Sequence, residues 1–473
     1  MRLVLLVCLL HTMLGAGEDA WTSVAEPARQ LVDRILAINA ELEPELNKAA
    51  ARQAFVALVG SLKPAVDAKR PQATIAALNK AILADRSVSY LSRQYWRDSS
   101  FAAALLRRKG NCLATTTLYV AVARALDLPI SAVLVPEHAF ACWSSNGTRI
   151  NVETTAGGSA SSDFTYLARF QIDDEAFAYY GWMQPLPEEH LLAELELVAA
   201  HHLAGQQRYA EARAHVAKAR VVLAHRADLE LLDLAYAANQ TRDRAPLRAA
   251  ADRLVADPKT SKPAALAALR TLAAEHRARL DRASERATLL RACNLAPWHE
   301  QDELLVQLST CLRGLRDHTG AALCMELAVA RDPDHLGKRA WLAGMLVEAK
   351  RLDEGLAMIA AVREENPEES YYANMQAGLL VTAGRRDEGR KLFDSLVAPR
   401  TGLETYETNR AWFFAVWGDR TEFYPQFEKA MNLANDPSIL SWIAEDDDLD
   451  PYREEPRFRA IVDGCRTRLM GRK

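Results

Sequence analysis

From about residue 187 onward, apolar positions fall three and four apart in a background of Ala, Leu, Glu and Arg. That spacing puts them on one side of a 3.6-residue turn, so this half predicts one amphipathic helix after another. The register repeats. LAGMLVEAKRLDEGLAMI from Leu342 and QAGLLVTAGRRDEGRKLF from Gln376 match at Ala343 and Ala377, Gly344 and Gly378, Ala349 and Ala383, and Arg351 and Arg385. They match again at Asp353-Glu354-Gly355 and Asp387-Glu388-Gly389, always 34 residues apart. Pro258, Pro297, Pro333, Pro367, Pro399 and Pro437 recur near the same period, each placed to stop the second helix of a unit.

The first half has a different pattern. Helical spacing is read over 26–46, 49–66 and 99–108. A further helix starts at or just after Cys112, capped by Asn111, and runs through Leu118, Val122 and Leu126 toward Asp127-Leu128-Pro129. ISAVLVPEHAFACW and TRINVETT then read as strands, with Asn146-Gly147 between them as a hairpin signal. This half is α+β and the second is all-α.

Alternation assigns faces to the strands. Between Glu137 and Trp143, His138, Phe140 and Cys142 share one face and Ala139 and Ala141 the other; in the next strand Asn151, Glu153 and Thr155 share a face. A four-residue loop, 144–147, sets His138 opposite Glu153, whereas a two-residue Asn146-Gly147 turn sets His138 opposite Thr155 with Glu153 as diagonal neighbour. In both registers His138 and Glu153 lie on one face, about 5 to 8 Å apart at Cβ.

Composition adds bounds. The chain has 473 residues, room for two or three domains, and a formal charge of -4. So mild an acidic balance argues against nucleic acid, which selects a concentrated basic face. MRLVLLVCLLHTMLGAGEDA has Arg2, an apolar run over 3–14 and the small residues Gly15, Ala16 and Gly17, which is a secretory leader pattern with cleavage after Gly17. No other segment is apolar enough to span a bilayer, so no membrane span is expected in the mature chain. Beyond the leader stand Cys112, Cys142, Cys293, Cys311, Cys324 and Cys465, too scattered for a disulfide framework. Neither CxxC nor HExxH occurs, so no metal or other cofactor is expected. The acids of SWIAEDDDLDPYREEPRF, over 441–458, lack the alternating ligands and central glycine of a calcium loop and read as a solvated turn before a capping helix.

Candidate chemistry centres on KGNCLATTTLY. A thiol at a helix start sits in positive potential, which favours the thiolate, and Arg107, Arg108 and Lys109 just upstream can add to it. Alone, Cys112 fits a small buried hydrophobe, His138 a satisfied core residue and Glu153 a surface acid. Together they have the logic of a triad: a thiol nucleophile, an imidazole that takes and returns its proton, and a carboxylate that fixes the ring. The Cys112 N–H is one oxyanion donor, with Gln94, Trp96 and Asn111 as candidates for a second. Cys142 shares the His138 face, and both cysteines are expected to be reduced.

RRKGNCLATTTLYVAVARALDLP, VPEHAF and INVETTAGG, over residues 90–158, resemble the transglutaminase-like superfamily of papain-related cysteine enzymes. The likeness is strongest to the bacterial branch in which such a domain precedes tetratricopeptide (TPR) repeats. The 34-residue units over 191–440, clearest from 299 to 399, resemble those repeats. The resemblance implies Cys112 as nucleophile, His138 as base and Glu153 as third member. Many relatives carry Asp in that position, and Glu153 keeps the charge while adding a methylene. It also implies a helical solenoid in which small residues such as Ala343, Gly344 and Gly355 let the two helices of a unit approach. The expected plan is a leader at 1–17, a transglutaminase-like domain with N-terminal helices at 18–190, repeats at 191–440 and a capping segment at 441–473.

The function expected is a secreted or periplasmic cysteine hydrolase or acyltransferase that acts on an amide through a thioester, with the repeats holding a protein or peptide partner. Protein glutamine, a peptide bond and a cell-wall peptide all suit that chemistry. The alternatives are a transglutaminase-like module without turnover, kept for binding, and a TPR scaffold in which the first domain is an adaptor.

Overall fold

The protein is described here by a computed structural model over residues 20–84, 87–88, 100–170, 172, 174–396, 404–435 and 438–470. The leader, Gln94, Trp96, Pro399 and Pro437 lie outside these residues. The chain gathers into two compact units, one formed by residues up to Leu272 with Leu295–His299, the other by Ala273–Asn294 and the residues from Glu300 onward.

The first unit opens with three helices, α1 (Glu26–Leu42), α2 (Lys48–Leu62) and α3 (Pro71–Ile82), then a short parallel pair, β1 (Ser87–Val88) and β2 (Lys109–Gly110). Helix α4 (Cys112–Ala125) starts where the sequence places it, because the Asn111 side chain accepts the Ala114 N–H at 3.0 Å. Every residue of α4 from Leu113 to Ala123 is buried. That includes Thr115, Thr116 and Thr117, whose β-branched side chains disfavour helix; their hydroxyls are satisfied inside the core, Thr117 donating to Leu113 O at 2.7 Å.

The segment expected as one strand folds as two. Pro136-Glu137 forms a tight turn, Glu137 taking φ 57, between β3 (Ile130–Val135) and β4 (His138–Ser145), with Val135 paired to His138. A second turn at Asn146 (φ 48) and Gly147 (φ 75) leads into β5 (Thr148–Val152). Both central residues are left-handed, the requirement of a two-residue hairpin, and of the two registers weighed this is the shorter-loop one, with Ser145 opposite Thr148 and Ala141 opposite Val152. The three strands are ordered β3-β4-β5. Ala139, Ala141 and Trp143 face the core that holds α4, while Phe140 and Cys142 pack with Val133, Tyr166 and Met183 on the other side, so the expected alternation holds. Helices α5 (Asp163–Phe170) and α6 (Asp174–Tyr180) follow.

The first core does not stop near residue 190. It runs on into Leu191, Leu195 and Leu203 of α7 (Glu188–Gly205), and into Val216 of α8 (Tyr209–Val222) and Tyr236 of α9 (Asp228–Thr241). Ion pairs fasten the same junction, Arg34 to Glu189 at 2.5 Å and Arg124 to Glu188 at 2.8 Å. The helical spacing begins where the sequence shows it, but its first helices are part of the α+β unit's hydrophobic core. Helices α10 (Ala245–Ala256) and α11 (Lys262–Ala278) continue the chain.

The second unit contains α12 (Arg282–Leu295), α13 (Trp298–Gly314), α14 (His318–Arg331), α15 (Leu336–Glu348), α16 (Leu352–Glu365), α17 (Ser370–Thr382), α18 (Arg386–Leu396), α19 (Glu404–Trp417), α20 (Arg420–Leu433), α21 (Ser438–Glu445) and α22 (Pro456–Met470). Pro297, Pro333 and Pro367 each stand two residues past the end of a helix, as expected of stop signals. The 34-residue period is carried further by the backbone than by side chains. Left-handed residues recur at Arg316, Lys350, Gly384 and Gly418, each just past a helix. The next N–H of each turn reaches back to close the helix, Arg351 to Leu346 O and Arg385 to Leu380 O at 2.8 Å.

The glycines divide the labour differently from expectation. A Cβ on Gly355 would lie 2.6 Å from Ala343 O, and one on Gly389 would lie 2.6 Å from Ala377 O, so these two let the second helix of a repeat touch the first. Gly344 instead faces the next repeat, where a Cβ would make an ordinary 3.4 Å contact with Met375. At the end of the chain α22 closes the last apolar face through Phe458, which stacks on Phe427 at 4.9 Å, and through Cys465 and Leu469. The acidic turn before it is not wholly solvated. Asp446 is buried, Asp448 accepts the Trp412 indole N–H at 2.7 Å, and Asp450 pairs with Arg316 and Arg453.

Candidate active site

Cys112 is the first residue of α4, half-buried and reduced. The chain reaches it through a π-helical turn, Ala103–Arg107, and a left-handed Arg108 (φ 51). Such irregular turns are frequent beside functional groups because they re-aim the residues that follow. The upstream guanidiniums are committed elsewhere. Arg107 pairs with Glu43 at 2.9 Å, and Arg108 donates to Ala84 O at 2.6 Å.

His138 opens β4, directly after the turn that Glu137 holds at positive φ. Its Nε2 lies 2.8 Å from Glu153 Oε2, and the Cys112 side chain is near enough to act on the ring's protonation. With Nε2 given to the carboxylate, Nδ1 is the nitrogen left for the thiol. The structure therefore brings together all three residues singled out in the sequence. Burial pulls the His138 pKa down, but hydrogen bonds to Cys112 and Glu153, and the charge of both, outweigh it and hold it at about 9. The ring is an imidazolium at neutral pH.

Glu153 stands one residue past the end of the β4–β5 ladder, in a closed turn: its N–H donates to Ser159 O at 3.0 Å and its carbonyl accepts from Gly158 N–H at 2.8 Å. Burial alone would raise its pKa, but hydrogen bonds from His138 and Tyr166 hold it below the ordinary carboxylate value. Tyr166 on α5 donates its hydroxyl to Glu153 Oε1, and its ring stacks on Phe140 at 4.3 Å between centroids. The extra methylene relative to Asp is thus accommodated, with both carboxylate oxygens engaged.

Three contacts missed by the sequence reading fix this turn. Thr154, buried, has its Oγ1 3.0 Å from Thr115 Oγ1 and 2.9 Å from Thr116 Oγ1, both on α4. Asn79 on α3 donates to Gly158 O at 3.1 Å and accepts the Tyr119 hydroxyl at 3.0 Å. Gly158 has φ +83, and a Cβ there would fall 2.0 Å from the Asn79 side chain. The threonine run in KGNCLATTTLY was visible as an unfavourable helix sequence. Nothing in the spacing of Tyr166 or Asn79 marked them.

Cys142 is fully buried with Phe140 and Tyr166, on the sheet face away from α4, and burial pushes its thiol pKa up. Neither it nor Cys112 is in a disulfide. Asn111 is buried and its side-chain oxygen accepts the Ala114 N–H as the helix cap. Among the described residues no cluster of His, Cys, Asp and Glu is arranged to hold a metal ion, and no helix is long and apolar enough to cross a membrane.

Residues 40–170 match the model of the transglutaminase-like superfamily, and residues 312–379 match a tetratricopeptide repeat model. The chain carries a transglutaminase-like domain followed by TPR repeats. No curated protein matches it. Among solved structures, yeast Tom70 is similar over 92% of this chain and 89% of its own, at 12% identity and a TM-score of 0.34. Menin, in a structure reported to reveal its binding site for Mixed Lineage Leukemia (MLL) protein, is similar over 93% and 92%, at 12% identity and a TM-score of 0.23. MamA MSR-1 is similar over 36% of this chain and 95% of its own, at 18% identity and a TM-score of 0.24.

Proposed function

We propose that the first unit is a cysteine hydrolase or acyltransferase acting on an amide through a thioester, and that the repeats present a protein or peptide partner to it. The observation that supports this is the linkage of one imidazole to Cys112 and to Glu153, the latter at 2.8 Å. In the reaction, the Cys112 thiolate attacks the amide carbonyl carbon, and the electron pair moves to oxygen. The His138 imidazolium gives its proton to the leaving nitrogen as the C–N bond breaks, which releases the amine and leaves the thioester. Water or an acceptor amine then loses a proton to His138 as it attacks. The C–S bond breaks, and thiolate and imidazolium are restored. Glu153, held by Tyr166, keeps the ring oriented and balances its charge throughout.

The leader pattern at 1–17 supports export, and we propose a secreted or periplasmic location; N-terminal sequencing of protein from its host should give a start near Glu18, and an intact Met1 would overturn the location. The catalytic reading is tested by offering the full chain a library of amide and thiol-ester substrates and locating covalent acyl adducts by mass spectrometry. An adduct on Cys112 that is absent from His138→Ala supports the mechanism. A folded chain that never acylates Cys112 favours instead the module kept for binding.

A further inference from the structure

Helix α1 and its C-cap present two buried polar side chains that apolar packing does not call for. Asn39 stands among the buried Leu31, Val32, Ile35, Leu36 and Leu42 and is itself 2% exposed; Glu43, at the helix end, is buried as well. Residues four apart lie one above the other along a helix. Burying an amide or a carboxylate is unfavourable unless each finds hydrogen-bond partners. Both find them in one segment, the turn that leads to Cys112.

Asn39 Oδ1 accepts the Ser100 hydroxyl at 3.1 Å and the Ala102 N–H at 3.2 Å, so it caps the start of that turn from another helix. Glu43 takes the far end, in a two-point ion pair with Arg107 at 2.9 and 3.2 Å. Between the two grips lies the π-helical stretch Ala103–Arg107, closed by the Arg108 N–H donating to Ala103 O. A π turn and a left-handed Arg108 (φ 51) are seldom populated without support, so a grip at both ends decides where the stretch points. The segment's place in the core does not depend on it. Phe101 is fully buried against Phe55, 6.1 Å between ring centroids, and Ala102, Ala103 and Ala104 are buried too. Helix α1 is itself fastened, through Arg34 to Glu189 at 2.5 Å on α7 and through Glu41, 2.9 Å from His215 Nε2 on α8, which gives the grips a rigid base.

Resting on the reading of Cys112 as nucleophile, we propose that Asn39 and Glu43 are positioning residues for its thiol. They hold the two ends of the turn at Ala103–Arg107 and thereby set the separation of Cys112 from the His138 ring. The imidazolium favours the thiolate only while the sulfur stays beside it, and a misplacement of about 1 Å can cost about 100-fold in rate.

The test uses the full chain. Iodoacetamide alkylation of Cys112 is followed by peptide mass spectrometry over about pH 5 to 9, where perturbed and ordinary thiols ionise, and the His138 midpoint is read by ring-15N NMR. Asn39→Ala changes no charge; it should slow alkylation at neutral pH about tenfold and lower the His138 midpoint by about one unit, as the sulfur leaves the ring. Glu43→Gln gives a result of opposite sign for charge and for position. By charge alone, losing a carboxylate and releasing Arg107 favours the thiolate and speeds alkylation, whereas displacement slows it, here by about tenfold. Ile35→Val, a small core truncation on the same helix that leaves both grips in place, should move neither reading. Should Asn39→Ala fail to fold, Glu43→Gln carries the test, since its partner Arg107 is exposed. Unchanged or faster alkylation in folded Glu43→Gln would overturn the positioning roles. So would Ile35→Val acting as strongly as the Asn39 or Glu43 variant, because general loosening would then be the cause. A native thiol no faster than an ordinary one would instead overturn the nucleophile itself, and the positioning roles with it.

Discussion

Replacing Glu153 with Gln removes one charge from the site while preserving the shape of the side chain. In the native chain His138 is raised from 6.5 to about 9, which corresponds to about 3 kcal/mol of preference for the imidazolium at 1.36 kcal/mol per pKa unit. Burial opposes that preference, so the hydrogen bonds and charges of Cys112 and Glu153 supply all of it and more. A hydrogen bond to a charged acceptor is worth about 1 kcal/mol more than a neutral one, so Glu153→Gln should lower the His138 midpoint by about one unit. The sign carries over to stability. A histidine raised on folding stabilises the native state fully below its unfolded pKa of about 6.5, and that contribution disappears as pH rises through about 9. The first unit should therefore lose stability between those limits, and the loss should be smaller in Glu153→Gln. Ring-15N NMR, with His138 assigned by its absence from His138→Ala, reads the midpoint directly. A native midpoint near 6.5, or one that Glu153→Gln leaves in place, would refute the linked site.

Tyr166→Phe keeps the stack on Phe140 but leaves Glu153 Oε1 without its donor, so acylation of Cys112 should slow while the first unit loses about 1 to 3 kcal/mol, measured by urea unfolding. Gly158→Ala places a Cβ on the Asn79 side chain at a positive φ; acylation should fall at least tenfold, and rescue by Asn79→Ala alone would show that crowding rather than backbone strain is responsible. In the repeats, Gly355→Ala and Gly389→Ala should each destabilise the second unit by about 1 to 3 kcal/mol through contact with a backbone carbonyl, whereas Gly344→Ala should be neutral or stabilising, since its 3.4 Å contact is ordinary and alanine favours helix. Equal effects at all three positions by denaturant titration would contradict the assigned close contacts.

Much of this was legible because period and spacing are local properties. Asn111 capped α4 as read, Asn146-Gly147 set the hairpin, and Pro258, Pro297, Pro333 and Pro367 each stand two residues past a helix end. The face alternation that put His138 and Glu153 together needed only the register. What escaped was decided by contacts between distant segments. Pro136-Glu137 looked like the interior of a strand, since nothing local says that Glu137 will accept a left-handed backbone. Tyr166 and Asn79 act through neighbours 13 and 79 residues away. The partners of Arg107 and Arg108, Glu43 and the Ala84 carbonyl, lie 64 and 24 residues away and left no mark in the sequence around the thiol. The repeat was visible in two units where side chains coincide, while the recurring left-handed turns at Arg316 and Gly418 involve unrelated residue types and left no trace in the amino-acid pattern.

Thr154 has a consequence for how the centre can be switched. Its hydroxyl is held by Thr115 and Thr116, one turn along the helix that begins with Cys112, so the acid and the nucleophile ride on a common strut. His138 opens β4, whose ladder with β5 leads straight to Glu153, so the imidazole and the carboxylate share one sheet while Thr154 ties that sheet to the helix of the thiol. The centre is braced on two sides, and cutting the Thr154 tie is the change that frees the nucleophile's helix from the sheet that holds its partners.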